Sequence, residues 1–178
     1  MAIIEALETI YLEADAASVT IDSIDQSYQT LELVASARSA ALTAATSYYV
    51  ECNGSPAGNA HSLYYMQGSN STPGAQETLT RTDWKMYDGI MGLTQAGQTG
   101  EYATMRVIIP DYASSDSNKS MSIQVCQSLS YASQCKILFG GGVYDQTSHP
   151  AITQLKVTPA TGSLQRGSEF TLYGIKSS

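Results

Sequence analysis

The chain has 178 residues, 43% of them hydrophobic and 14% charged, with 9 Lys+Arg against 16 Asp+Glu for a formal charge of -7. That length sustains one ordinary core without a metal or disulfide framework, so a single domain is expected. The acidic balance excludes a nucleic-acid binder, which needs clustered Lys and Arg, and the low charge density with many Ser and Thr argues against a helical bundle and toward β structure.

Residues 1–8 carry no basic start and no apolar run long enough for export or membrane insertion, so the chain is expected to fold in a cytoplasm. Ile4, Ala6, Glu8, Ile10 and Leu12, then Val19 and Ile21, keep a period of two around Asp15-Ala16-Ala17-Ser18, which predicts two strands and a turn. After a turn at 22–26, Leu31, Leu33, Ala35 and Ala37 alternate with Thr30, Glu32, Val34 and Ser36, the pattern of a half-buried strand with one wetter face. Residues 39–46 are too short for an independent helix and read as a loop or a single turn. Further strands are predicted at 47–52, 62–67, 102–109, 120–128, 135–139, 151–158 and 168–175, each rich in Val, Ile, Tyr or Thr. Turn chemistry separates them at 53–59, 68–74, 110–118, 140–142 and 159–163. About ten short strands at this spacing predict an all-β, jelly-roll-like antiparallel β-sandwich.

Catalytic chemistry finds little footing. His61 and His149 are the two imidazoles, they are far apart, and no nucleophile elbow or metal-ligand spacing accompanies them. Asp22 and Asp25 read as turn carboxylates rather than a glycosidase pair. The segment 162–168 has the outline of a phosphate loop without its Lys, and reads as a turn. Gly140-Gly141-Gly142 precedes no helix and reads as a bulge or loop. Asp111, Asp116 and Asn118 lack the ladder of a calcium loop, so no metal and no cofactor are expected. Cys52, Cys126 and Cys135 are odd in number and read as thiols, with a bridge between Cys126 and Cys135 across a hairpin as the alternative.

The composition stands out in one respect: 12 Tyr against 2 Phe and 1 Trp. Tyrosine offers a large contact area with a polar tip, suited to association or to stacking on sugars. In the adjacent pairs Tyr48/Tyr49 and Tyr64/Tyr65, one ring of each must face away from its own sheet's core. With Trp84, Tyr87 and Tyr173 they are the candidate association or glycan contacts. The closing strand places Phe170, Leu172 and Gly174 on one face and Thr171, Tyr173 and Ile175 on the other; apolar on both sides, it is either central in the sandwich or covered by a neighbouring subunit.

Three segments carry a resemblance. Residues 10–38, with Ile24-x-Gln26-x-Tyr28 and Leu31-x-Leu33-x-x-Ser36-x-Arg38, then Ile109-Pro110-Asp111-Tyr112 through Lys119-Ser120, and finally 151–175 ending Phe170-Thr171-Leu172-Tyr173-Gly174-Ile175, together resemble small virion proteins of tailed bacteriophages. About a third of the chain is covered. Glu13, Asp15, Asp22 and Asp25 depart from positions commonly neutral in such proteins. The resemblance implies a non-enzymatic capsid decoration or cement protein on the virion surface, associating with itself as a trimer and with the major capsid or another virion protein. The alternative it implies is a tail-fibre or tail-tip module that binds host glycan; nucleic acid and membrane are not expected partners.

Overall fold

The computed structural model describes residues 2–40, 48–54, 61–69, 72–81, 84–86, 92–93, 102–129, 134–144 and 150–177, and none of these is helical. They form thirteen strands: β1 (Ala2–Tyr11), β2 (Val19–Ile21), β3 (Thr30–Ser39), β4 (Tyr48–Cys52), β5 (His61–Ser69), β6 (Thr72–Arg81), β7 (Trp84–Met86), β8 (Gly92–Leu93), β9 (Ala103–Pro110), β10 (Lys119–Leu129), β11 (Gln134–Tyr144), β12 (Leu155–Pro159) and β13 (Glu169–Ser177). A nine-stranded sheet runs β1-β13-β3-β9-β10-β11-β5-β6, with β8 joined in parallel to the end of β3, and packs against a four-stranded sheet ordered β2-β12-β4-β7. The chain is thus a jelly-roll-like β-sandwich, antiparallel but for the short β3–β8 pairing.

Side-chain alternation explains the layering. Leu31, Leu33, Ala35 and Ala37 of β3 point inward, as do Met105, Val107 and Ile109 of β9 and Met121, Ile123 and Val125 of β10. Val19 and Ile21, Tyr48, Val50 and Cys52, and Leu155 and Val157 face them from the smaller sheet, all within one buried cluster. Full burial of each such aliphatic side chain stabilises the fold by about 1.5–3 kcal/mol. The closing strand takes the central option: β13 lies between β1 and β3, with Phe170 and Leu172 fully buried and Tyr173 and Ile175 half-buried on its other face.

Three expectations need correction, and one alternative falls away. The glycines Gly140, Gly141 and Gly142 lie inside β11, not in a loop, because β10 and β5 pair with that stretch from both sides. A Cβ on Gly141 would stand 3.0 Å from the Met121 carbonyl oxygen, so the strand there is bare enough to let its neighbour close in. The stretch 68–74 is mostly strand: β5 continues to Ser69 and β6 starts at Thr72, with Pro73 on an edge strand where a missing donor is tolerated. Residues 151–154 are not a strand; Asn53 holds them instead, its Oδ1 accepting from the backbone N–H of Thr153 (2.8 Å) and Gln154 (3.2 Å) and its Nδ2 donating to the Ala151 carbonyl (2.8 Å). Finally, the hairpin register sets Cys126 opposite Ile137 and Cys135 opposite Ser128, so the two cysteines do not face each other. Of the loop expected at 39–46, Ser39 belongs to β3, and 41–46 lies outside the described residues.

Candidate association surface

The segments that carry the resemblance fold onto one another at one end of the sandwich. Gly174 is the fulcrum. A Cβ there would sit 2.5 Å from Cγ of Tyr28, so the aromatic ring of the Ile24-x-Gln26-x-Tyr28 turn lies flat against the glycine of the closing strand. The Lys176 ammonium stands 4.7 Å from the same ring's centre, a cation–π distance. The Tyr28 hydroxyl donates to Glu5 Oε2 at 2.6 Å, and this bond to a carboxylate, with burial adding to it, pushes its pKa up to about 12. The third segment joins through Tyr112, whose hydroxyl donates to the Asp25 carbonyl, while its own carbonyl accepts from Ile152 N at 2.9 Å. Asp111 N donates to Gln29 O at 2.7 Å, and Asp111 itself has a φ of 51°, the left-handed conformation Asp tolerates in turns.

Beside this frame a groove of about 280 Å³ is lined by Glu5, Glu8, Asp22, Asp25 and Tyr28. Three of its four carboxylates are already employed: Glu5 by Tyr28, Asp25, whose Oδ1 accepts from Ser27 N at 2.9 Å in the turn role expected of it, and Asp22, which accepts from the Gln154 amide. Among the described residues no three His, Cys, Asp or Glu side chains are grouped to hold a metal. At the β9–β10 turn the cation is the chain's own. The buried Lys119 ammonium donates to the Ser117 carbonyl at 2.7 Å; burial lowers its pKa, and the charges of Asp111 and Asp116 oppose that shift.

The predicted contact residues scatter. Tyr48 is 1% exposed inside the core, where burial pushes its hydroxyl well above the ordinary tyrosine range and, among the described residues, no hydrogen-bond partner meets it, so it is not a contact residue. Tyr49 is half-buried on the other side of β4. Tyr64 and Tyr65 stand opposite Gly141 and Gly140 in the large sheet, and Trp84 stands opposite Val50 on the edge strand β7. Tyr87 lies outside the described residues. Tyr173 is half-buried between Ala6 and Glu32 on the outer side of the large sheet.

That outer side carries a second set of exposed apolar residues, none of them tyrosine. Phe139 is 52% exposed, Ile137 40%, Val34 37% and Val143 37%. The register sets Phe139, Gln124, Arg106 and Val34 in one row across β11, β10, β9 and β3, and Ile137, Cys126, Thr104 and Ser36 in the next. Phe139 and Ile137 form a ridge, and between it and Val34 a groove of about 300 Å³ opens over Thr104, Arg106, Gln124 and Cys126. Arg106 pairs with Glu32 across the strands, an ion pair that keeps the guanidinium firmly protonated. The available signal was Ile137-Leu138-Phe139: three successive apolar residues in a strand cannot all face one core.

No family model and no curated protein matches the chain. Among solved structures it is similar to the galectin LEC-6 of Caenorhabditis elegans, at 9% identity and a TM-score of 0.39, with 95% of this chain and 96% of that one covered. It is also similar to the infectious bursal disease virus Gt strain structure at 13% identity and a TM-score of 0.15, and to that virus's VP2 subviral particle at 12% and 0.17. The chain, covered to 99% and 98% in these two comparisons, spans 39% and 41% of the viral chains' length.

Proposed function

We propose that this chain is an architectural protein of a bacteriophage particle, a capsid decoration or cement protein that associates with itself and with other virion proteins. The observation that supports the reading is the contact of Tyr28 with Gly174: the turn and closing motifs that resemble phage virion proteins, 146 positions apart in the chain, are built around each other. A bare glycine under an aromatic ring is a steric requirement, which gives these motif residues a reason to occur together. The apolar relief of the large sheet's outer side supports the associating half of the proposal, since exposed apolar patches mark contact surfaces.

The test is a phage deleted for this chain. Particles that lose resistance to heat and osmotic shock, and regain it when purified protein is added back, are the expected result. Particles that keep full stability but lose adsorption to the host overturn the cement reading in favour of receptor binding, and particles of unchanged composition show that the chain is no virion component.

A further inference from the structure

The outer face of β3, β9, β10 and β11 has two properties that together select its occupant. The first is electrical. The chain carries a net charge of -7, yet the charged described side chains on this face are Glu32, neutralised by Arg106, and Arg38, which lies 4.8 Å over the Tyr102 ring at the margin. Two copies of an acidic molecule meet here with no unpaired carboxylate among the described residues of the face. The second is shape. The Phe139/Ile137 ridge on β11 and the groove over Gln124 and Cys126 lie side by side on one surface. Contact between identical patches requires a projection and a recess on the same face, because each residue pair must occur twice about the axis.

Resting on the self-association read above, we propose that a second copy of this chain seats on this face about a two-fold axis, with Phe139 of each copy entering the groove of the other. An axis along the strands, between ridge and groove, brings both ridges over both grooves at once. Four strands about 4.8 Å apart and about eight residues long at about 3.3 Å each give a flat footprint of roughly 500 Å² per copy. The pair then buries about 1,000 Å², the lower bound for a specific interface, before side-chain relief enlarges it. This geometry gives a pair where the resemblance implies a trimer.

Sedimentation equilibrium of the whole chain tests it. The expected species has twice the 19.0 kDa chain mass. Gln124→Glu, which sets a carboxylate on the groove floor under the incoming ring, and Phe139→Ser are each expected to weaken association about tenfold or more. Ser115→Glu, in the β9–β10 turn, leaves it unchanged. Gln124 is exposed, so Gln124→Glu decides the matter even where Phe139→Ser fails to fold. Peptide-resolved alkylation adds a readout on the unaltered protein: Cys126 reacts more slowly as concentration rises through the association range, while buried Cys52 stays unreactive throughout.

A monomer at about 1 mM, or a trimer insensitive to Gln124→Glu, overturns the inference. A monomer that still coats particles overturns it and leaves the virion reading standing; a Gln124-dependent dimer absent from particles does the reverse. A monomer whose binding to particles needs unaltered Gln124 and Phe139 assigns the face to another virion protein and also overturns it.

Discussion

Two tyrosines show how the same side chain does opposite things. Tyr48, on β4 of the smaller sheet, is wholly enclosed, and its hydroxyl has no partner among the described residues, an arrangement in which the ring contributes packing and the oxygen costs desolvation. Tyr48→Phe keeps the ring and removes the cost, so it is expected to raise stability by about 1 kcal/mol, a Tm gain of about 2–4 °C in a domain of this size. A calorimetric Tm equal to or below that of the unaltered chain would show that the hydroxyl is paired. Tyr28 needs its surroundings to be smaller still. A methyl group on Gly174 would overlap Cγ, Cδ1 and Cδ2 of the Tyr28 ring at 2.5 to 2.8 Å, and the ring has Lys176 on it as well. Gly174→Ala is therefore expected to cost about 1–3 kcal/mol, the usual penalty of overpacking, against the gain that Ala ordinarily brings to a strand. Equilibrium urea unfolding measures it, and an unchanged midpoint would mean that the ring moves aside freely.

Among the described strands, β1 forms one edge of the large sheet, paired to β13, with its register shifted between Ala6 and Glu8. Beyond that ladder it is tied by Glu5 to Tyr28 and by the Thr9 hydroxyl to that of Thr171 at 3.2 Å. The first tie is pH-dependent. Because the fold raises the Tyr28 pKa from 10.0 to about 12, it favours the protonated phenol. That contribution is fully present below about pH 10 and is lost as pH rises through about 12. Tyr28→Phe removes this part of the alkaline loss, so the chain and the variant are expected to converge in unfolding midpoint between about pH 9 and 12. Parallel curves over that range would show that Glu5 does not hold the proton. The same ladder logic explains which strands could be read in advance. β3 buries the face predicted for it, and β9 and β10, predicted as strands, alternate as cleanly, since each has an apolar core on one side. The glycines of β11 contain no such alternation; their strand state comes from β10 and β5 on either flank, partners set by tertiary pairing and not by propensity. The short strands β7 and β8, of three and two residues, exist through pairing in the same way.

At the scale of the whole molecule the two sheets differ in extent, nine strands against four among the described residues, and the larger one turns a broad outer side to its surroundings. The count of tyrosines drew attention to rings that the fold places in the core or on the margins, while the relief on that outer side is made by Val34, Ile137 and Phe139, ordinary strand residues whose direction depends on register. Composition carries no information on register, which is why the surface was not legible and the sandwich was. Charge, by contrast, could be read directly, and it yields a prediction for the paired state. Two bodies of charge -7 repel each other through solvent even when the patches that touch are neutral. Salt shortens the range of that repulsion, to about 8 Å at physiological ionic strength from about 30 Å at 0.01 M, and leaves the apolar contact of ridge and groove intact. Association through this face is therefore expected to tighten several-fold as ionic strength rises from about 0.01 M to about 0.15 M, and to level off beyond it. Sedimentation at a series of NaCl concentrations measures the trend. Weakening with salt would mean that the copies are held by ion pairs, for which the described residues on this face of β3, β9, β10 and β11 offer no charged groups beyond Glu32 and Arg106, already bonded within each chain, and marginal Arg38.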